Sequence, residues 1–263
     1  MRIYNKPFSP LNTAVINLVW VNLLAFLFVS LVKLTPFGHF IFNFLSFWPS
    51  KPLWASLHSI VTSIFIHDGF FHILGNMLWL YFIGTILEDL IGKKHIYILY
   101  FGGGISGIFL FYIISNLFGN FIPIVGASAG ISAIILATAI FTPYYRIFLF
   151  GVLEIELRWI VAIKVFLDFL GMFGGPNSGG NQAHIGGYLF GLLYILNLKG
   201  IWNFPTNWIP KKTSKPKRSA NVQINRQSPS QDEIDKILDK ISQSGYDNLS
   251  KKEKETLFKA SKK

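Results

Sequence analysis

The chain has 263 residues, of which 51% are hydrophobic and only 14% charged, with 26 phenylalanines and a mean hydropathy of +0.44. A soluble domain of this length cannot hide so much apolar surface, and apolar runs recur at membrane-spanning length, so the composition describes a polytopic membrane protein with an appendage. The formal charge of +11 does not point to nucleic acid, because Lys and Arg gather near span ends and at the C-terminus, and the lack of cysteine excludes disulfides, thiol catalysis and cysteine-based zinc sites.

Residues 1–11 carry Arg2 and Lys6 and no motif. A first span is expected over 13–32, about the 20 residues that cross a hydrocarbon core. It is too long for a signal-peptide core and lacks an Ala-x-Ala site, so it reads as retained. Asn17 and Asn22 inside it are expected to hydrogen-bond a neighbouring helix. Residues 34–66 are interrupted by Pro36, Pro49 and Pro52 and crowded with Phe40, Phe42, Phe44, Phe47, Trp48 and Trp54. Aromatics at this density suit the headgroup level, so this is an outer loop with a short amphipathic helix over 53–66. His39 and His58 read as interfacial polar residues.

The second span follows His67-Asp68-Gly69 and ends near Glu88-Asp89. His72 and Asn76 are four apart and share one face, one turn inside the helix, with His67 just outside it. A zinc protease helix needs His-Glu-x-x-His; the spacing is wrong and the glutamate absent, so no metal is expected. These residues either tie helices together or supply N–H donors for an oxyanion hole. The third span, over 96–117, carries Gly103-x-x-x-Gly107, a surface for close helix approach.

The fourth span, over 125–141, opens with Gly126-x-Ser128-x-Gly130. Small residues of this kind serve helix packing in a bilayer. The same string is the nucleophile elbow of soluble hydrolases, but that requires a strand and a sheet the flanks do not supply. The third reading is a serine nucleophile at the outer end of a span. Residues 147–157, apolar with Glu154 and Glu156, are expected to skirt the inner interface. The fifth span, over 158–173, holds Lys164 and Asp168, four apart, which read as a mutual ion pair facing the bundle interior. The sixth, over 182–198, opens with His184 and carries Gly187-x-x-x-Gly191. Beyond it, 201–230 reads as a basic flexible linker and 231–263 as a small soluble helical hairpin. The hairpin has Ile234, Ile237, Leu238 and Ile241 on one stripe and a capping box from Ser250 to Glu253.

Positive charge marks alternate ends of the spans: Arg2/Lys6, Lys93/Lys94, Arg146/Arg158, then Lys199 and the basic tail. The positive-inside rule therefore predicts six spans with both termini in the cytoplasm. His72 and Asn76, Ser128, and His184 then all fall in the first turns of even-numbered spans, at one outer layer. Packing residues acting independently would scatter in depth. A serine hydroxyl needs a base to take its proton, and His184 is the one base on a facing span whose glycines permit contact. The Ser128 amide sits among the unpaired N–H groups of a helix start, beside donors from His72 and Asn76.

In this combination the chain resembles the rhomboid intramembrane serine proteases. The matching motifs are His67-x-x-x-x-His72-x-x-x-Asn76, Gly126-Ala127-Ser128, and Ala183-His184-x-x-Gly187-x-x-x-Gly191, with Glu88 where the family often has an acid. The resemblance implies an all-α membrane protein: a six-transmembrane-helix bundle over 1–200 with a C-terminal helical hairpin. It implies a Ser128–His184 catalytic dyad without an acid, an oxyanion hole from His72, Asn76 and Ser128, and site support from His67, Gly126, Gly187 and Gly191. No cofactor is implied. The implied partners are single-span membrane proteins, cleaved near the outer boundary, and the lipid bilayer. The implied location is a bacterial inner membrane, because the tail resembles an appendage of some bacterial members. Ser132 stands where some members carry a tyrosine that stacks on the catalytic histidine. The alternative function is a catalytically silent rhomboid-fold protein that escorts membrane clients; inactive members usually lack the serine or the histidine, and both are present here.

Overall fold

A computed structural model describes residues 13–119, 121–149, 152–175, 177–201 and 231–260. It divides into two compact units, 1–206 and 207–263. The linker expected over 201–230 lies, beyond Ile201, outside the described residues, as does the segment bearing Arg2 and Lys6.

The first unit is built from helices. Helix α1 (Ala14–Val32) starts where Thr13 Oγ1 accepts the Ile16 amide at 3.1 Å. The loop after it contains α2 (Gly38–Leu45) and α3 (Leu57–Thr62). Helices α4 (Phe70–Ile91) and α5 (Lys93–Phe118) are joined at Gly92, and α6 (Ser128–Phe141) follows an extended segment. Helix α7 (Leu157–Gly171) and α8 (Ser178–Leu198) complete the unit. Among the described residues, α1, α4 and α5 are long and apolar enough to cross a membrane, and α6 is a shorter apolar helix. At 1.5 Å per residue its 14 residues cover about 21 Å, less than the roughly 30 Å of a hydrocarbon core.

Two expectations need correction. The single helix expected over 53–66 is broken into a 3-10 turn (Leu53–Ala55), α3 and a second 3-10 turn (Ser63–Phe65). Ser56 leaves helical geometry, and the hydroxyls of Ser59 and Thr62 donate to the carbonyls of Ser56 and Leu45 at 2.9 and 2.8 Å. Such side chains compete with a continuous helix. The fold is also not wholly α. Where an interface-skirting segment was expected, β1 (Arg146–Leu149) pairs antiparallel with β2 (Leu153–Glu156), in the register Arg146 opposite Glu156. The alternation of Glu154 and Glu156 with apolar neighbours is a period-two signal, and Arg146 Nη1 reaches Glu154 Oε1 at 3.1 Å.

Helix α6 packs against α4, α5, α7 and α8, and most of its residues are buried. Its neighbours come close because they offer glycine. A Cβ on Gly103 or Gly107 would meet the Cβ of Ala133 or Ala129 at 2.5 Å, and one on Gly187 or Gly191 would strike the Ala129 or Ala133 carbonyl. Both small-residue ridges read from the sequence thus lie on α6. Asn17 and Asn22 bond outward as expected, to the hydroxyls of Tyr97 and Tyr100 at 3.2 and 2.8 Å. Glu88 has a structural use. Its two carboxylate oxygens accept the buried amides of Ala14 and Val15 at 2.8 and 2.9 Å, closing the start of α1.

In the second unit, α9 (Gln231–Ser244) carries Asp232 and Glu233 in its first turn, where the helix dipole favours anions. Helix α10 (Lys251–Ala260) opens on the anticipated capping box: the Ser250 amide donates to Glu253 at 2.7 Å, and the Glu253 amide to Ser250 Oγ at 3.4 Å. Lys240 of α9 also bonds Glu253, at 2.9 Å.

Two predictions follow from these contacts. Glu88→Ala strands two buried donors and is expected to cost on the order of 3 kcal/mol, read as a fall in thermal unfolding temperature in detergent. For Glu253, the Lys240 ammonium and then the Ser250 cap hold the carboxyl at about 2, below its ordinary 4.5. A depressed carboxylate stabilises the fold above the unfolded value and loses that contribution as pH falls toward the folded one. Residues 207–263 should therefore lose helical ellipticity between pH 4.5 and 2, and Glu253→Gln should remove that step.

Candidate functional site

Ser128 is the first residue of α6, and the cap position before it, Ala127, supplies no side-chain hydrogen bond. The first N–H groups of this helix therefore have neither an intrahelical acceptor nor a side-chain cap. The chain reaches Ser128 through a segment clamped by the outer loop. Phe47 and Ile124 exchange backbone hydrogen bonds at 3.2 and 2.9 Å, and the Gly126 amide donates to the Ser63 carbonyl at 2.8 Å. Gly126 has φ +123°, in the region only glycine enters readily. A Cβ there would stand 2.9 Å from His72 Nε2 and 3.8 Å from Ser128 Oγ. The missing side chain is what leaves room between the histidine and the serine.

The depth of the serine follows from the packing. Gly107 of α5 touches Ala129, and α5 runs on to Phe118, so about 16 Å of helix rises beyond the level of Ser128. Ser128 lies in a recess, with Ser63, Gly126, Ala129, Gly180 and Ala183 lining a small cavity of about 20 Å³ at its side.

On the α4 side, His72 Nε2 stands across Gly126 from Ser128, and Asn76 follows one turn later on the same helix. Asn76 is buried, and its Nδ2 makes no hydrogen bond among the described residues, leaving a free donor. His72 Nδ1 lies 2.6 Å from Asp68 Oδ1, a partner the sequence reading passed over although it stands four residues earlier. His67 is buried edge-on to His72, with ring centroids 5.0 Å apart, and its Nδ1 lies 3.3 Å from the Phe65 carbonyl. Burial, and then the neighbouring His72, lower His67 to about 4, so it packs as a neutral ring.

On the α8 side, His184 is bracketed by Ala183, whose carbonyl lies against Gly107, and by Gly187, which rests on the Ala129 carbonyl. Its Nδ1 lies 3.1 Å from Asp168 Oδ1 of α7. The sequence reading expected no acid beside this histidine. Asp168 is also paired with Lys164, as the i, i+4 spacing predicted, with Nζ to Oδ2 at 2.9 Å. Tyr188 donates its hydroxyl to the same Oδ2 at 2.6 Å. Tyr188, one turn beyond His184, interacts in turn with Ser132 of α6.

The structure therefore brings together His72 at the start of α4 and Gly126 and Ser128 at the start of α6, with Asn76 one turn further along α4 and Ala183 of α8 lining the same cavity as Ser128. His184 stands beside Ala183 of its wall, with His67 packed behind His72. Gly187 and Gly191 lie along the α6–α8 contact, Gly187 next to the site and Gly191 a turn further away. His72 Nε2 and the Ser128 hydroxyl thus stand on either side of Gly126, and His72 and His184 each have a carboxylate on Nδ1. Among the described residues no three His, Cys, Asp or Glu side chains come together as a metal site.

A family model described as the rhomboid domain matches residues 54–200. The chain belongs to the rhomboid family and is an integral membrane protein. A family of unknown function matches residues 224–263. The chain is 30% identical over 138 residues to the Presenilin-associated rhomboid-like protein A, mitochondrial, of Danio rerio, covering 52% of this chain and 36% of that protein. It is 28% identical over 146 residues to the RHOMBOID-like protein 12, mitochondrial, of Arabidopsis thaliana, covering 50% and 43%. It is 34% identical over 139 residues to the RHOMBOID-like protein 1 of the same plant, covering 51% and 32%. The chain thus spans less than half the length of these relatives. Two of them carry a mitochondrial name, so the expected bacterial inner membrane draws no support from them.

Gly126→Ala combines a strained φ with a collision against His72 Nε2 and is expected to destabilise by more than ~2 kcal/mol. Gly119, at φ +74° with open space around it, provides the control, and Gly119→Ala should cost about 1 kcal/mol. Thermal unfolding of the two variants in one detergent compares them; equal losses would mean that the space over Gly126 is not confined.

Proposed function

We propose that this protein is an intramembrane serine endopeptidase that cleaves single-span membrane proteins near the outer boundary of the bilayer. The observation that supports the reading is the placing of His72 Nε2 and Ser128 Oγ on either side of Gly126, with Asn76 one turn further along α4 and His184 next to Ala183 of the cavity wall. In this mechanism Ser128 Oγ attacks the scissile carbonyl while His184 Nε2 takes its proton. The tetrahedral oxyanion is held by the Ser128 amide, Asn76 Nδ2 and His72 Nε2. A carboxylate only accepts hydrogen bonds, so Asp68 requires a proton on His72 Nδ1. With that proton on Nδ1, His72 donates through Nε2 only when both ring nitrogens are protonated. Collapse breaks the peptide bond, and His184 returns the proton to the leaving amine. Water, activated by the same imidazole, then hydrolyses the acyl-enzyme.

The proposed setting is six spans, counting α6, α7 and α8 with the three long helices. Both termini then lie on the face that gathers the Lys and Arg residues. Neither a metal nor another cofactor takes part.

Ser128→Ala and His184→Ala should each abolish cleavage of a single-span substrate while the protein stays inserted. The double variant should be no worse than either, because nucleophile and base act as a unit. EDTA should leave the rate unchanged. Substantial cleavage by Ser128→Ala would overturn the reading, and a wild-type protein that binds such substrates without cutting them would favour the escort function.

A further inference from the structure

An ion pair inside an apolar helix bundle is costly and needs a reason. Asp168 and Lys164 lie on α7, away from the recess, and no step above uses them. We propose that Asp168 is a positioning residue for His184, with Lys164 and Tyr188 holding its carboxylate in place; this rests on the serine endopeptidase reading.

The geometry supplies the argument. The Asp168 side chain is 10% exposed and that of His184 12%, so neither bond competes freely with water. The two oxygens are divided: Oδ1 faces His184 Nδ1, and Oδ2 receives Lys164 Nζ and the Tyr188 hydroxyl. With Oδ2 tied twice, the carboxylate cannot swing, and Oδ1 is left to the imidazole. Because Oδ1 only accepts, the proton of neutral His184 must sit on Nδ1, which leaves the lone pair on Nε2. That is the tautomer a general base for Ser128 requires. The Lys164 ammonium offsets much of the aspartate charge, so the chief contribution is orientation and tautomer. When His184 takes the serine proton, the carboxylate also faces the imidazolium that forms.

An amide in place of Asp168 can present N–H to Nδ1 and turn the ring to the tautomer protonated at Nε2, which cannot accept a proton. Asp168→Asn also leaves Lys164 buried without its partner, so the test pairs it with Lys164→Met to keep the charge balanced. With the purified full chain and a single-span substrate, Asp168→Asn/Lys164→Met should lower kcat at least ~100-fold, with KM within about twofold of wild type and an unchanged unfolding temperature. Nitrogen-15 NMR of the wild-type ring gives a second reading that needs no variant: His184 should carry its proton on Nδ1 near neutral pH.

Near-wild-type kcat in the double variant, while Ser128→Ala is inactive, would overturn the positioning role and leave the protease reading standing. So would a kcat loss that appears only together with a lowered unfolding temperature, which assigns Asp168 to the fold. A wild-type ring protonated on Nε2 would overturn it independently. Absence of cleavage by the wild type would instead reject the protease reading, with the ring spectrum still deciding the Asp168–His184 arrangement.

Discussion

Everything in the membrane unit depends on how closely α5 and α8 approach α6. The contact is backbone against backbone: Gly103 and Gly107 on one side, Gly187 and Gly191 on the other, with Ala129 and Ala133 between them. In a bilayer the lipid tails are as apolar as leucine, so helix association relies on close packing rather than on escape from water. Small residues supply that packing, and they also set the depth of Ser128. Because Gly107 rests on Ala129 well before α5 ends, the short helix α6 starts inside the bundle rather than at its surface.

A recessed helix start brings a chemical consequence with it. The unpaired amides that α6 would otherwise turn to water are aimed into a confined space. Gly126 turns the chain into that space at an angle other residues resist, and His72 occupies the room where a side chain would have stood. Packing and chemistry thus share the same glycines, as the sequence motif suggests but cannot by itself establish.

The polar groups buried in the unit show a common pattern. Glu88 accepts two backbone amides, Asn22 pairs with Tyr100, and Asp168 takes three donors. Burying polar atoms is tolerable only with such partners. Asn76 Nδ2 departs from that pattern as a buried donor with no bond among the described residues, and so do Ser63 Oγ and His67 Nε2.

Much of this was legible in the chain alone. Apolar run lengths marked most helices, glycine spacing marked the contact ridges, and His72, Ser128 and His184 could be placed near helix starts. These are periodic or local signals, and local geometry is what a sequence determines by itself. The hairpin of β1 and β2 was also written locally, in the alternation around Glu154 and Glu156, but it was hidden by the apolar composition. Asp68, four residues before His72, was likewise within reach. The link from Asp168 to His184 was of a different kind. The spacing named Lys164 as the partner of that carboxylate, and only the packing of α7 on α8 brought His184 to its other oxygen. Likewise, Tyr188 reaches Asp168 because α7 and α8 meet there, and Glu88 closes α1 across 74 residues of chain. Side-chain spacing along one helix says which groups share a face; which face meets which depends on where the helices touch, and tertiary structure alone decides that.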